Sequence, residues 1–467
     1  MEQDVKKPMV EKSRMFAAID IGTTKIVALV GYKNDAGEIV VCGKSNIAST
    51  GVWSGQVSNV SHASQSIRTA VENASVEAGF FPKKVVVGVA GRHVRSTSYT
   101  VQCNRGDSAK VITTEEIEDL RKAANNVAYN YDEEIINVVP QNYVLDGTFV
   151  ENPLGMSCKH IDAQYQVIIG KIQALAQLRQ SVDMAGLEVA ENGLYLEPLA
   201  SSDAVLTEQE RKLGVAMIDI GGGTTDVAIY KDNILRATSS IPFGGNLITS
   251  DIAQGCGILE TDAEEIKKQY GEAISDFAPN AIISIEGVIG QTSKQIQVMN
   301  LAKIIQSRVE EIIDSINFEV ALAIPLTTEL SAGVVVTGGG SKLKNMAQLL
   351  SYKVGMSSRL ASPIRSVLYN DNTLFNDSAY STAVGLLLRA AALHEKATKH
   401  VQVVEKEKEQ EQEKEEVKVA PKVVKEEPVL QVETEVSEEK HGFLEKMIGG
   451  LKKQVGGFFE VDDAEYK

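Results

Sequence analysis

The sequence is short of the residues on which disulfide, zinc and membrane-spanning proteins depend. It has four cysteines in 467 residues (Cys42, Cys103, Cys158 and Cys256), far apart and without paired spacing. That argues against a disulfide framework or a thiolate zinc site and for a reducing cytoplasm. Its six histidines show no ligand spacing and read as ordinary surface or core residues. No apolar run reaches the roughly 20 residues needed to cross a bilayer. The opening MEQDVKKPMVEKSRM is charged and lacks the apolar core of a signal peptide. Positive charge is also scarce. Lys and Arg number 47 against 63 Asp and Glu, a net charge of −16, so nothing offsets phosphate repulsion over a broad surface. A nucleic-acid partner is therefore not expected. These absences leave a soluble or peripheral chain, long enough for two or three domains.

What is present begins with alternation. From about Met15 to about Leu393, strand-like runs such as FAAIDI, KIVALVG, KVVVGVAG, YQVIIG, GVAMIDI, DVAIY and GVVVTG alternate with helical stretches. Helices are expected over Ser61 to Gly79, Thr114 to Tyr129, Ile172 to Ala185, Asp262 to Tyr270, Ser293 to Phe318 and Ser341 to Val354. Ser341 would be the N-cap of the last. The fold class is therefore α/β. Residues 1–14 read as a flexible start. After Leu393 the character changes: 395–440 is Glu, Lys, Gln and Val with two prolines. Such a composition forms no packed face, which favours an extended acidic linker over a solvated helix.

The next stretch, 441–460, contains HGFLEKMIGGLKKQVGGFFE. On a helix, Phe443, Met447, Leu451 and Val455 recur every four residues, and Leu444, Ile448, Phe458 and Phe459 widen the stripe. Lys446, Lys452 and Lys453 flank it with cationic charge. Four glycines weaken this helix in water by roughly 1 kcal/mol each against alanine. It therefore needs a cover for its apolar side. An anionic membrane surface fits best, with a partner protein or the chain's own domain as alternatives. Residues 461–467 form a short tail.

The chemistry lies in a repeated device. FAAIDIGTTKIVALV holds Asp20, Gly22, Thr23 and Thr24; AMIDIGGGTTDVAIY holds Asp219, Gly221, Gly222, Gly223, Thr224, Thr225 and a second acid, Asp226. Each copy predicts strand, tight turn, strand. The glycines let backbone amides approach an anion closely. The threonines add hydroxyl donors. Asp20 and Asp219, at the strand ends, are placed to hold a hydrated Mg²⁺, which takes few protein carboxylates. Neither copy is a Walker A loop, because G-x-x-x-x-G-K-[ST] is missing and a strand follows the turn. The copies stand about one domain length apart, which points to a duplicated α/β domain gripping one polyphosphate from both sides. A third cluster, VVVTGGGSKL, offers Gly338, Gly339, Gly340 and Ser341 to a phosphate or sugar.

This arrangement resembles the actin, heat-shock chaperone and sugar-kinase superfamily of ATPases. The resemblance implies duplicated actin-like (ribonuclease H-like) lobes around a nucleotide cleft that holds ATP and Mg²⁺. Phosphate-binding hairpins would be Asp20 to Lys25 and Asp219 to Thr225, and the adenosine turn Gly338 to Ser341. LEPLASSDAVL and STAVGLLL resemble the two connecting helices that act as the superfamily's hinge. Glu197, in the first, would position the attacking water and act with Asp219 in any slow ATP hydrolysis; its bland reading is an acid favoured at a helix N-terminus. A chaperone would need a β-rich domain after Leu393, and a sugar kinase a substrate base in the cleft; neither is evident.

Within the superfamily, the chain resembles the bacterial actin-like cell-division family FtsA over nearly all of Phe16 to Leu393. VVPQNYVLDG and NPLGMS carry the likeness most specifically. The resemblance implies an inserted α+β subdomain at 92–170, splitting a lobe-one core of 15–91 and 171–213. Lobe two would have its core at 214–251 and 328–394 and an outer subdomain at 252–327. TDAEEIKKQYG places Glu264 and Lys267 beside the adenosine end, as i, i+3 neighbours. Family partners would be the tail of the tubulin-like FtsZ, other division proteins, further copies of the chain in a filament, and the membrane. Location would be peripheral, on the cytoplasmic side of the cell membrane at the septum. A pilus-assembly type of actin-like scaffold, whose anchor is a protein partner, is the rival.

Overall fold

The computed structural model describes residues 12–106, 110–286, 292–323, 330–363, 367–368 and 377–398. Two sheets within it follow the same plan. In the first, Met15–Ile21 pairs antiparallel with Lys25–Lys33 and parallel with Lys84–Val89. In the second, Val215–Ile220 pairs antiparallel with Thr225–Lys231 and parallel with Val334–Thr337. A third antiparallel strand follows each hairpin, Ile39–Ala48 in one and Ile234–Ile241 in the other. The leading strands are covered on both faces, every residue of Val215–Ile220 being buried. That is why they read as continuous apolar runs instead of alternating ones. The duplication expected from the repeat is thus a duplication of sheet topology.

Each sheet has its own helical cover on the outer face. In lobe one, helices Val60–Ala78 and Ile172–Met184 pack Ile67, Val71, Leu175 and Val182 against Ile19, Ile26 and Val87. In lobe two, the helix Val298–Ala323 buries Leu301, Ile305, Ile312 and Ile316 against Ile218 and Val227. The inner faces share one core. Ala18, Val27 and Leu29 of lobe one join Val215, Met217 and Val335 of lobe two through the helices Glu197–Val205 and 381–398. These two helices cross backbone to backbone. A Cβ on Gly385 would lie 1.8 Å from the Ala200 carbonyl oxygen, so only glycine permits the crossing.

The insert forms a separate sheet in the order Val94–Asn104, His160–Lys171, Glu133–Leu145, Thr148–Val150. Its helix Thr114–Ala123 closes one face, with Leu120, Ala124 and Val127 against Tyr143 and Tyr165. Thr113 caps that helix by accepting from the Glu116 amide.

Several local expectations shift. The helix expected from Ser293 begins at Val298; Lys294–Gln297 is instead a strand paired with Ile282–Ile285, and only Ile296 of its residues is buried. The helix expected through Tyr129 ends at Ala123 in a 3₁₀ turn, Ala124–Asn126. Residues 12–14, expected to be flexible, form a 3₁₀ turn, and Arg14 donates to the Lys33 carbonyl at 2.9 Å. At the other end the helix runs to 398 into the stretch expected as linker, and Glu395 pairs with Lys33 at 3.0 Å. His394, whose Nε2 lies 2.8 Å from the Ser13 carbonyl and whose ring packs on Phe16, helps hold the helix past the compositional break. The rest of the acidic stretch and the whole 441–460 segment, Phe443 to Phe459 included, lie outside the described residues. Among the described residues no helix is long and apolar enough to cross a membrane. All four cysteines are free thiols.

Replacing Gly385 with alanine should lower stability to urea by roughly 1–3 kcal/mol, the usual cost of overpacking. Gly106→Ala, where a Cβ meets nothing within 4 Å, should be nearly neutral. Equal midpoints for the two variants would contradict the crossing.

Candidate functional site

The two hairpin turns meet. Each leading aspartate begins a tight reversal: Asp20 lies opposite Val27, and Asp219 opposite Asp226. The turns close the same way, Gly22 N donating to Lys25 O at 3.0 Å and Gly221 N to Thr224 O at 2.9 Å. Their tips leave no space for side chains. A Cβ on Gly222 would lie 1.8 Å from Thr24 Oγ1, and one on Gly223 2.4 Å from Thr23 Oγ1. Few polar contacts bridge the tips. Thr24 Oγ1 donates to Asn246 Oδ1 at 3.2 Å, and Ser54 Oγ donates to the Gly223 carbonyl at 3.3 Å. The Ser54–Gly55 turn also touches the first tip, Gly55 N donating to Thr23 Oγ1 at 3.1 Å.

Behind the tips lies an acidic cluster. Asp20, Asp219 and Asp226 are 5%, 7% and 5% exposed, and half-buried Glu197 lies within electrostatic reach of all three. Loss of water pushes Asp20 up to about 6, Lys25 pulling it back and Asp219 adding to the rise. Asp226 is pushed up to about 7 by burial, relieved in part by a hydrogen bond from Ser240. Burial raises Asp219 too, while Ser201 Oγ at 2.6 Å and Thr382 Oγ1 at 3.0 Å donate to its Oδ2 and favour its charge. Both donors come from the connecting helices. Glu197 rises well above the ordinary carboxyl range, by desolvation first and then by its three acidic neighbours. The balancing cation is Lys25, whose pKa burial lowers and Asp20, Asp219 and Asp377 hold up. Its ammonium donates to the Ala379 carbonyl and lies 5.2 Å from the Tyr380 ring centre.

The third glycine turn joins this site from the side. Gly338 has φ +88°, and a Cβ there would lie 2.2 Å from Asp219 Oδ1. Ser341 is not the N-cap of a long helix. It sits in a 3₁₀ turn, Gly340–Lys342, and donates to the Gly338 carbonyl at 2.7 Å; the α-helix starts at Met346. Lys342 pairs with Asp377 at 2.6 Å across the same rim. Glu264 and Lys267 form a partly buried pair at 2.5 Å. Lys267 also donates to the Gly245 carbonyl at 2.9 Å, and Gly245 N in turn donates to Gly221 O at 2.9 Å. The pair is therefore wired to the second hairpin and not merely a surface ion pair.

Thr225 departs from its expected use. The hairpin register sets it opposite Ile220, fully buried, with its hydroxyl donating to the Phe243 carbonyl at 2.8 Å. Thr23, Thr24 and Thr224 remain nearer the tips. Sequence reasoning gave no role to Asp226, Ser201, Thr382, Ser54 or Asn246. Only Asp226 carried a signal: it follows the second turn where the first hairpin has Val27.

The donor set suits a hydrated magnesium ion. It offers hard carboxylate oxygens, one of which, Asp226 Oδ1, is buried without a hydrogen-bond partner. Among the described residues no three acidic, histidine or cysteine groups stand close enough to chelate a bare ion, so water would fill most of its coordination.

Comparison with known proteins gives concordant likenesses. The family model for "Cell division protein FtsA" matches residues 216–385, and that for "SHS2 domain inserted in FTSA" matches residues 91–169. The cell division protein FtsA of Neisseria meningitidis serogroup B is 34% identical over 389 residues, covering 82% of this chain and 92% of the relative. That of Bacillus subtilis strain 168 is 31% identical over 378 residues, covering 80% and 83%. Among solved structures, a PilM–PilN type IV pilus biogenesis complex superposes with a TM-score of 0.58 at 17% identity, covering 80% of this chain and 98% of the other.

A pH dependence follows from the acidic cluster. Asp20 and Asp226 hold protons more tightly when folded than the ordinary 3.8, at about 6 and about 7. Their contribution to stability is therefore full below pH 3.8 and is lost as pH rises through 6 to 7. Asp226→Asn should make the ligand-free protein more resistant to urea at pH 8, by on the order of 2 kcal/mol, with little change at pH 4. A variant destabilised equally at both values would contradict the electrostatic account.

Proposed function

The chain belongs to the FtsA family of bacterial cell-division proteins, and from that premise we propose that it is an ATP-binding, filament-forming protein that tethers FtsZ to the inner face of the cytoplasmic membrane. The observation that carries the nucleotide part is the convergence of two Asp-Gly hairpins and the Gly338 turn on one acidic cleft. Amides and hydroxyls at Gly22 to Lys25 and Gly221 to Thr224 would hold the phosphates, and Gly338 to Ser341 with Glu264 and Lys267 the adenosine end. Asp20, Asp219 and Asp226 would face Mg²⁺, which when bound supplies the positive charge that offsets the buried carboxylates and the phosphates. Lys25 adds one protein cation to the same balance. Glu197, which interacts electrostatically with all three aspartates, would orient a water in slow ATP hydrolysis, with ATP serving mainly as a structural ligand.

The membrane part rests on the 441–460 segment. Its stripe of Phe443, Leu444, Met447, Ile448, Leu451, Val455, Phe458 and Phe459, flanked by Lys452 and Lys453, matches an interfacial helix. Four glycines make one copy weak, and polymerisation offsets that by presenting many anchors together. The FtsZ tail would dock on the outer part of lobe two, other division proteins would join the assembly, and the location would be the septum. The pilus-type scaffold is less well supported: its structural likeness rests on 17% identity, against 34% for a division protein over most of its length.

Two experiments test this reading. With Mg-ATP, the full chain should pellet with anionic vesicles, whereas a chain ending at Lys440, or one carrying Met447→Glu, should stay in solution. Pelleting of the truncated chain, or of neither wild type nor variants at polymerising concentrations, would overturn the anchor. The single tryptophan, Trp53, adjoins the Ser54 contact between the tips, so Mg-ATP should change its emission. Gly338→Asp, which sets a carboxylate against Asp219, should abolish that response; a retained response would sink the cleft assignment.

A further inference from the structure

A second polar feature lies on the far side of the first hairpin, in a loop that the sequence marks only as GVAGRHV. His93 follows the strand Lys84–Val89, and its carbonyl accepts from Lys171 N at 3.0 Å. Gly91 N, two residues before, donates to Ser240 Oγ at 3.1 Å, and Ser240 in turn bonds Asp226. The loop is therefore pinned to lobe two at the acidic cluster. His93 Nδ1 is buried and has no hydrogen-bond partner. Such an atom is costly to leave unsatisfied, and a buried water commonly satisfies it. A narrow cavity with room for about one water molecule adjoins the ring. Ile21, Val57, Gly88, Leu178, His93 and Glu197 are among its walls. Its titratable side chains are His93 and Glu197. Glu197 is held over Gly88, where a Cβ would lie 2.8 Å from both Glu197 Cγ and Oε1.

We infer that His93 is a positioning residue for Glu197: the two share one buried water in this cavity, which is the partner that Nδ1 lacks. The inference rests on the ATP-cleft reading for its catalytic consequence, not for the water itself. Burial brings His93 down to about 4, so its imidazole is neutral at physiological pH. A neutral ring accepts from the water without drawing the carboxylate toward itself as an imidazolium would. The water then donates onward to Glu197 and fixes its rotamer toward Asp20 and Asp219. Gly88 makes the arrangement possible, since any side chain there would displace Glu197. The loop also ties this corner to the second lobe through Gly91 and Ser240.

The test uses the full chain with two replacements of similar size. His93→Asn sets an amide oxygen near the place of Nδ1, and His93→Leu fills the volume without a polar atom. ATP affinity, single-turnover hydrolysis of Mg-ATP and thermal midpoint are measured for each. His93→Leu should slow hydrolysis by about tenfold or more while ATP affinity stays within about twofold, and His93→Asn should recover most of the rate. A leucine variant that hydrolyses at the wild-type rate, or an asparagine variant as slow as leucine, overturns the inference. Should leucine fail to fold, a crystal structure of the wild type decides: an ordered water bonded to both Nδ1 and Glu197 supports it, and a dry cavity overturns it. Wild type that binds no ATP defeats the cleft reading instead, and the same crystal still shows whether the water is there.

Discussion

Three nearly buried aspartates and a glutamate, balanced by one lysine, are the constraint around which this molecule is arranged. Taking carboxylates out of water is costly unless they are paired, protonated or given a cation. Here pairing is incomplete. Lys25 serves Asp20 and Asp219 together, Ser201 and Thr382 serve only Asp219, and Asp226 keeps one oxygen without a partner. The duplicated sheet puts Asp20 and Asp219 in place, because each leading strand closes on Asp-Ile just before a glycine turn. Such an arrangement weakens the empty protein at neutral pH, a cost characteristic of functional sites.

The two ends of the cleft are held by different forces. At its base, the connecting helices join both sheets in one apolar core, and Gly385 lets their backbones touch. Burial of that extent is not undone by a ligand. At the mouth, the contacts are single hydrogen bonds, Thr24 to Asn246 and Ser54 to Gly223, each worth about 0.5–1.5 kcal/mol net. The contrast is between an apolar base and a mouth bridged by a few polar contacts.

Much of this was legible beforehand, for identifiable reasons. The hairpins were readable because a strand buried on both faces has an unmistakable apolar run, and because the device occurs twice. The insert and the connecting helices followed from their wording. Failures arose where local pattern and tertiary context diverge. Lys294–Gln297 looks like the start of the helix behind it, yet pairs with Ile282–Ile285 as a strand. Ser341 follows three glycines as an N-cap would, but its hydroxyl closes a 3₁₀ turn instead. Thr225 reads as a phosphate donor until the register buries it opposite Ile220. The donors to Asp219, and the isolated Nδ1 of His93, depend on contacts between distant segments that no local motif encodes.

The central claim is that these carboxylates accept a nucleotide only together with a divalent cation. Calorimetric titration of the full chain with ATP, in magnesium and again in excess chelator, tests it directly. The account predicts clear binding with magnesium and affinity weaker by on the order of a hundredfold without it. Equal affinity in both would mean that the acidic cluster does not face the phosphates, and would contradict the account.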